Sequence, residues 1–360
     1  MPDAPFADAR AVIDRGVASG AFPAASAEIG GSHGPIWRHA AGTLTSGGDD
    51  NGTPASSGTI FDLASLTKVL ATTPVVMRLV RAGALGLDDP VARWIRAWRG
   101  VDRERVTVRD LLAHCGGLTA FLPFYRDHAG RAEFEPAICA LPLEYPPRTR
   151  SVYSDLGYML LAWVAEEAAQ DALEGQVARL CEALDVEDLV FRPGPELRPR
   201  IAPAGLDAWR GRVLVGEVHD PNAWALGGVA GHAGLFGTAP AVGAIARHVL
   251  RGLRGLDTPL APASLLHEFA RRTDVPGSSR ALGWDTMLPT SSCGTRMSPT
   301  AIGHTGYTGT SLWIDWERDV YAVLLTNRVH PSDDNDEILR VRPAFHDAVI
   351  DALEPGRREP

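Results

Sequence analysis

The stretch from Phe61 to Ala71, F-D-L-A-S-L-T-K-V-L-A, contains the only lysine of the chain, Lys68, against 34 arginines. A sequence that writes arginine wherever a positive charge suffices has kept one residue that arginine does not imitate. A guanidinium stays protonated in a protein, whereas a partly buried ammonium can lose its proton and act as a base. Ser65 stands three residues earlier, and the positions Leu66, Val69, Leu70, Thr73, Val76, Met77 and Val80 recur at helical spacing. The pattern predicts Ser65 at or near a helix N-terminus with Lys68 one turn later on the same face. There the amine can accept the hydroxyl proton as the oxygen attacks a carbonyl, and free backbone N–H groups aim at the oxyanion that forms. A helix-capping serine beside a solvated lysine would show the same short motif, so its partners elsewhere in the chain decide.

Tyr153-Ser154-Asp155 lies just before an apolar run at Leu156 and after a proline-rich stretch. A tyrosine there can pass a proton between the serine oxygen, the lysine and a leaving group, above all if the ammonium lowers its pKa. His304-Thr305-Gly306-Tyr307 falls on an expected strand, where the glycine marks a close approach of another backbone or a ligand. Taken singly, these are an ordinary loop tyrosine and a structural histidine.

The elements that must carry these residues follow from patterning. Phe6 to Val17 reads as an amphipathic helix, and Pro23 to Ile29 and Pro35 to Ala41 as two strands. Gly30-Gly31-Ser32-His33-Gly34 between them matches G-x-S-x-G, but a nucleophile elbow needs strand, turn, then helix, and another strand follows; a hairpin turn is expected. Thr45 to Gly58 reads as a surface loop, and the Ser65 helix is expected to end at Gly83 with Pro74 kinking it. Short helical segments are expected up to Trp98 and at Val106 to His114, and an irregular covering loop at Thr119 to Thr149. Apolar helices follow at Leu156 to Ala169 and Glu174 to Leu184, then an irregular glycine-rich stretch from Val213 to Gly237. Helices at Ala241 to Arg254 and Ala263 to Arg271 precede strands at Ala281 to Asp285, Ala301 to Thr305, Ser311 to Asp315 and Val320 to Thr326, with a closing helix near Val341 to Leu353. Strands at both ends with helices between give an α+β class, one sheet built from both termini and a helical lobe inserted in the middle. The expected unit is a single two-lobed catalytic domain, with an α/β lobe of about 1–65 and 240–360 and a helical lobe of about 66–240.

Composition excludes several classes. A net charge of −9 without a basic cluster argues against nucleic acid and an anionic membrane surface as partners. Cys115, Cys139, Cys181 and Cys293 are scattered, which reads as free buried thiols rather than disulfides or a zinc site. His219 and His232 lack a third ligand in convincing spacing, so no metal is expected and they read as structural or substrate-lining. Asp333-Asp334-Asn335-Asp336-Glu337 lacks the glycine of a calcium loop and reads as a solvated acidic loop. No phosphate-cradling or dinucleotide motif is present, so no cofactor is expected. The N-terminal residues lack the basic and apolar regions of a signal peptide, and no apolar run reaches the roughly 18 residues of a membrane span; the expected location is cytoplasmic.

Three motifs in this order, S-x-x-K, then Y-S-D, then H-T-G, make a far more specific signal than any one of them. With them the chain resembles the serine β-lactamase and penicillin-binding-protein superfamily, in particular the class C β-lactamase-related branch of esterases and D-amino-acid peptidases. The resemblance extends to L-L-A-H-C-G-G-L at 111–118, L-D-D-P-V at 87–91, and the stretches at 218–236 and 303–315. It implies an antiparallel sheet flanked by helices beside an all-helical lobe, with the site between them. It further implies Ser65 as acylated nucleophile, Lys68 as its base and Tyr153 as second proton carrier. The backbone N–H groups of Ser65 and Tyr307 would form the oxyanion hole, and His304 would occupy the place of the lysine in K-T-G. Two departures stand out. Asp155 replaces a frequent asparagine; a carboxylate cannot donate to a substrate, but can pair with Lys68, raise its pKa and leave Tyr153 as the stronger base. His304 supplies only a partial charge near neutral pH. The expected activity is an acyl-enzyme hydrolase of carboxylic esters or amides. The alternatives are a D,D-carboxypeptidase on D-Ala peptides and, from another class, a ligand-sensing module with an inert serine.

Overall fold

The computed structural model describes residues 5–44 and 52–354. The loop expected at Thr45 to Gly58 lies partly outside the described residues; from 52 to 58 the chain has no regular element beyond a bridge between Pro54 and Thr43.

Strands β1 (Ala24–Gly31), β2 (Gly34–Gly42), β3 (Asp285–Thr286), β4 (Ile302–Thr305), β5 (Ser311–Asp315) and β6 (Val320–Thr326) form one antiparallel sheet in the order β2-β1-β6-β5-β4-β3. The two ends of the chain meet where β1 pairs with β6, with Ala25 opposite Thr326 and Gly30 opposite Tyr321. Ser32 and His33 form the tight turn between β1 and β2, with Gly31 paired to Gly34, so the G-x-S-x-G match is a hairpin, as expected.

The segment V-Y-A-V-L-L-T of β6 is apolar throughout because both faces of the sheet are covered. Tyr321, Val323 and Leu325 pack in the core that includes Val242 and Ile245 of the Ala239–Leu253 helix. Val320, Ala322 and Leu324 face the helices Ala7–Ala18 and Ile338–Leu353, against Ile13, Phe345 and Val349.

Between β2 and β3 the chain is mainly helical. The Asp155–Ala169 helix is its centre, buried continuously from Leu156 to Ala165. Two small sheets are added: Phe61–Asp62, Leu235–Gly237 and Leu189–Phe191 in one, and the hairpin of Leu206–Asp207 and Arg212–Val213. The region read as irregular from Thr119 to Thr149 contains a helix, Gly130–Ala140, with Pro136 inside it. That proline and its neighbours hid a helical face whose buried Phe134 and Ile138 are four residues apart.

The Ser65 segment is not one regular helix. It runs as a 3₁₀ turn (Ala64–Leu66), a π turn (Lys68–Thr72) and an α-helix (Thr73–Arg81), ending before Gly83 at φ +70°. Pro74 accounts for the change of pitch: in a regular α-helix its ring meets the carbonyl of Leu70, which also finds no N–H to bond. The wider π turn over 68–72 relieves that conflict one turn beyond Ser65.

Candidate active site

Ser65 sits at the second position of its helix, where a backbone N–H has no acceptor within the helix. The residue before it, Ala64, has φ +46°, a left-handed conformation that costs an alanine about 1 kcal/mol or more. Its surroundings impose it: Ala64 N–H donates to Asp62 Oδ1 at 2.8 Å, and Thr67 Oγ1 donates to the Ala64 carbonyl at 2.7 Å. Asp62 is itself buried, accepts from His219 N–H at 2.6 Å, and has its carboxyl pushed up by burial.

Lys68 is fully buried, and its Nζ donates in three directions: to Ser65 Oγ at 3.0 Å, Asp155 Oδ1 at 2.7 Å and the His232 carbonyl at 3.0 Å. Burial alone would favour the neutral amine. The Asp155 carboxylate, together with Tyr153, outweighs it and holds Lys68 above the ordinary lysine range.

Tyr153 lies beside this pair, its ring centroid 4.8 Å from Nζ, so that Lys68 and Ser65 both act on its phenol. The ammonium does favour its phenolate, but burial, with Asp155 behind it, is stronger, so the phenol is pushed up rather than down. The condition under which the ammonium would lower the tyrosine pKa is not met, because burial outweighs it.

His304, on β4, is also buried, and its Nδ1 lies 2.8 Å from the Thr305 carbonyl. Burial, then Arg280 and Lys68, push its pKa well below the usual value. The partial charge expected of His304 is therefore absent; the imidazole is neutral.

The turn after β4 closes the other wall. Gly306 N–H donates to the Thr310 carbonyl at 2.8 Å, and Gly309 N–H to that of Gly306 at 3.1 Å. A Cβ on Gly306 would lie 2.2 Å from Thr310 Oγ1 and 2.6 Å from the Leu63 carbonyl, which explains the glycine by backbone approach. Tyr307 follows with its side chain directed outward, half-exposed, donating to Asp333 Oδ2 at 2.7 Å and stacked on His219. Tyr307 belongs to the pocket lining, and among the described residues its backbone N–H is not a donor in the turn.

Ser65, Tyr153, His304 and Tyr307 line one open pocket of about 430 Å³, together with Arg280 and Arg342. All sequence-predicted site residues thus meet in one place, with Asp155 committed to Lys68 through Oδ1. Sequence reasoning missed Arg280, whose guanidinium lies 5.1 Å from the Tyr153 ring centroid and has no carboxylate within ion-pair distance among the described residues. It also missed Arg342, which clamps the Gly306 and Thr310 carbonyls at 2.5 and 3.0 Å. His232 contributes its carbonyl to Lys68, while its ring bonds Asp220 at 2.9 Å; among the described residues no cluster suits a metal ion. The four cysteines are free and buried, as expected.

An α+β fold of an antiparallel sheet with many helices, bringing a serine, a lysine and a tyrosine together, is the arrangement of serine hydrolases of the β-lactamase and transpeptidase type. A family model described as Beta-lactamase matches residues 9–344, and the chain belongs to that family. It is a serine hydrolase. A putative D-alanyl-D-alanine carboxypeptidase of Escherichia coli (strain K12) is 32% identical over 310 residues, covering 77% of this chain and 70% of the relative. One of Salmonella gallinarum is 29% identical, covering 79% and 73%. Among solved structures, EstCE1, a hydrolase with promiscuous acyltransferase activity, superposes with a TM-score of 0.77 at 20% identity over 97% of this chain and 99% of that one. Simvastatin synthase (LovD) from Aspergillus terreus gives 0.76 at 17% identity over 99% of each chain. At these identities the structural likeness concerns the fold.

Proposed function

We propose that Ser65 is the nucleophile of an acyl-enzyme mechanism acting on carboxylic esters or amides. The observation that carries this reading is the surround of Lys68: one buried ammonium donates to the serine oxygen, a carboxylate and a backbone carbonyl at once. Such an ammonium stabilises the serine oxygen as it loses its proton, and Tyr153, through the fraction present as phenolate, takes that proton as base. Ser65 Oγ then bonds to the carbonyl carbon, and the oxyanion lies against the backbone N–H groups of Ser65 and Tyr307. Tyr153 returns the proton to the leaving group, whose bond to the carbonyl breaks, and water releases the acid by the same steps in reverse order of roles.

A second reading, a D,D-carboxypeptidase on D-Ala peptides, is favoured by one observation besides the names of the relatives. With His304 neutral, Arg280 is a cation in the pocket without an ion-pair partner among the described residues, suited to a carboxylate beside the scissile bond. A cytoplasmic location belongs to the proposal and is checked by cell fractionation; among the described residues no helix is long and apolar enough to cross a membrane.

Intact-protein mass after brief incubation with p-nitrophenyl esters and with a penicillin tests the reading. An adduct that Ser65→Ala abolishes is expected. Turnover that survives Ser65→Ala sinks it, and D-Ala release from a pentapeptide ending in D-Ala-D-Ala selects the second version.

A further inference from the structure

The motif L-L-A-H-C-G-G-L at 111–118 has no part in the chemistry above, yet its histidine reaches the active site. His114 follows the short Val108–Leu112 helix with φ +54°, a left-handed turn that histidine tolerates better than most residues. This turn aims the carbonyl and the imidazole of one residue at the segment carrying Tyr153. Val152 N–H donates to the His114 carbonyl at 3.0 Å, and Ser154 N–H donates to His114 Nδ1 at 3.0 Å. His114 therefore holds the amides on both sides of Tyr153, sharing the Val152 N–H with the Tyr145 hydroxyl at 3.2 Å. The imidazole also lies against the Tyr153 ring, with centroids 4.6 Å apart, and is backed by Tyr158 at 5.0 Å. Because Nδ1 accepts, the ring proton resides on Nε2 and the imidazole is neutral.

Tyr153 needs such support. Residues 150–154 belong to no helix or strand, and the Asp155–Ala169 helix begins only beyond it. A proton carrier must be held within about 0.5 Å of its working position, and an error of about 1 Å costs roughly 100-fold in rate. Resting on the acyl-enzyme reading, we propose that His114 is a positioning residue for Tyr153, acting through Nδ1 and its ring face without touching the substrate. Neither a protonated imidazole nor an apolar side chain could accept the Ser154 amide while presenting that face.

The test separates the two contacts and uses Tyr153 as the reporter. His114→Phe keeps a ring and removes the acceptor; His114→Asn keeps an acceptor near the place of Nδ1 and removes the ring. Second-order rates of fluorophosphonate labelling at Ser65 and ester kinetics are measured for each in the wild-type and Tyr153→Phe backgrounds. In the wild-type background we expect His114→Phe to lower labelling and kcat about 10- to 100-fold with KM within threefold, and His114→Asn to regain part of the loss. In the Tyr153→Phe background the same change should add less than threefold. An equal loss in both backgrounds, or none in the first, overturns the positioning role. Should His114→Phe not fold, His114→Ala read against His114→Asn in both backgrounds carries the same comparison. Failure of the wild-type protein to label at Ser65 would instead overturn the function proposed above, so the two failures are distinguishable.

Discussion

Replacing Asp155 by asparagine isolates the charge that organises the site. Nζ of Lys68 lies 2.7 Å from the carboxylate oxygen and 4.8 Å from the Tyr153 centroid, which places the carboxylate within about 7.5 Å of that ring. At an effective dielectric of about 20, an anion at that distance disfavours the phenolate by about 2 kcal/mol, or roughly 30-fold in phenolate fraction below its pKa. A less basic phenolate is also a weaker base, and a Brønsted slope of about one half reduces the gain in kcat/KM near neutral pH to about fivefold. Lys68 responds in the same direction: without Asp155 its burial is opposed mainly by Tyr153, so its proton is held less firmly, and a neutral amine would itself be a base. The expected result for Asp155→Asn is a rising limb of the pH–kcat/KM profile on a p-nitrophenyl ester displaced toward acid. The variant should also melt lower, since removing one partner of a buried ion pair costs about 3–5 kcal/mol at most and the asparagine oxygen still accepts from Nζ. A folded, acylable variant whose profile stays in place or moves toward alkali would refute an ionised Asp155 acting on both Lys68 and the neutral Tyr153 phenol.

Three further outcomes follow from the same geometry. Gly306→Ala forces its Cβ against Thr310 and the Leu63 carbonyl and shifts the Tyr307 amide; ester kinetics should show kcat down about 100- to 1,000-fold, the loss of one oxyanion donor, and an unchanged kcat would remove Tyr307 from that role. Arg280→Gln should raise the ratio of kcat/KM for a neutral ester over a substrate with a carboxylate beside the scissile bond by about 10- to 100-fold; an unchanged ratio rejects Arg280 as the carboxylate's partner. His114, His304 and His346 are held below the ordinary histidine value by burial and neighbouring cations, His346 down to about 3. The unfolded chain takes up their protons below about pH 6.5 and the folded chain does not, so stability present above that pH is lost as pH falls, by up to about 1.4 kcal/mol per pH unit for each. Melting scans should show Tm falling between about pH 6.5 and 5, and a flat Tm would count against buried neutral imidazoles.

The sequence made the site more legible than the walls around it. Ser65, Lys68, Tyr153 and His304 lie on or beside elements whose periodicity is plain: helices at 73–81 and 155–169 and the strand at 302–305. Spacing therefore carried the geometry. Charge state was not legible, because burial sets it: Tyr153 beside an ammonium would be lowered in water, and His304 would titrate near neutrality, but both lie inside the protein. Arg280 was invisible for another reason. Among 34 arginines, only a fold that leaves one without a carboxylate partner beside Tyr153 singles it out. The Gly130–Ala140 helix was lost to Pro136, since proline reads as a breaker even where the chain accommodates it.

The lone lysine itself has a different explanation from the one its sequence suggests. An amine kept for its ability to lose a proton would stand in apolar surroundings or beside another cation. Lys68 instead has a carboxylate at 2.7 Å, and its three acceptors match the three donor directions of an ammonium. Arginine would keep the charge, but its donors lie in one plane on a broad fork and do not converge from a single atom on a serine, an aspartate and a carbonyl in a fully buried space. The feature arginine lacks at this position is therefore shape rather than titration. It follows that Asp155 and Lys68 act as one neutral unit: the carboxylate keeps the ammonium charged, and the ammonium offers that charge to the serine oxygen. On the mechanism proposed above the proton then leaves by way of Tyr153, whose ring stands 4.8 Å from Nζ, and the placing of that ring bears directly on the rate.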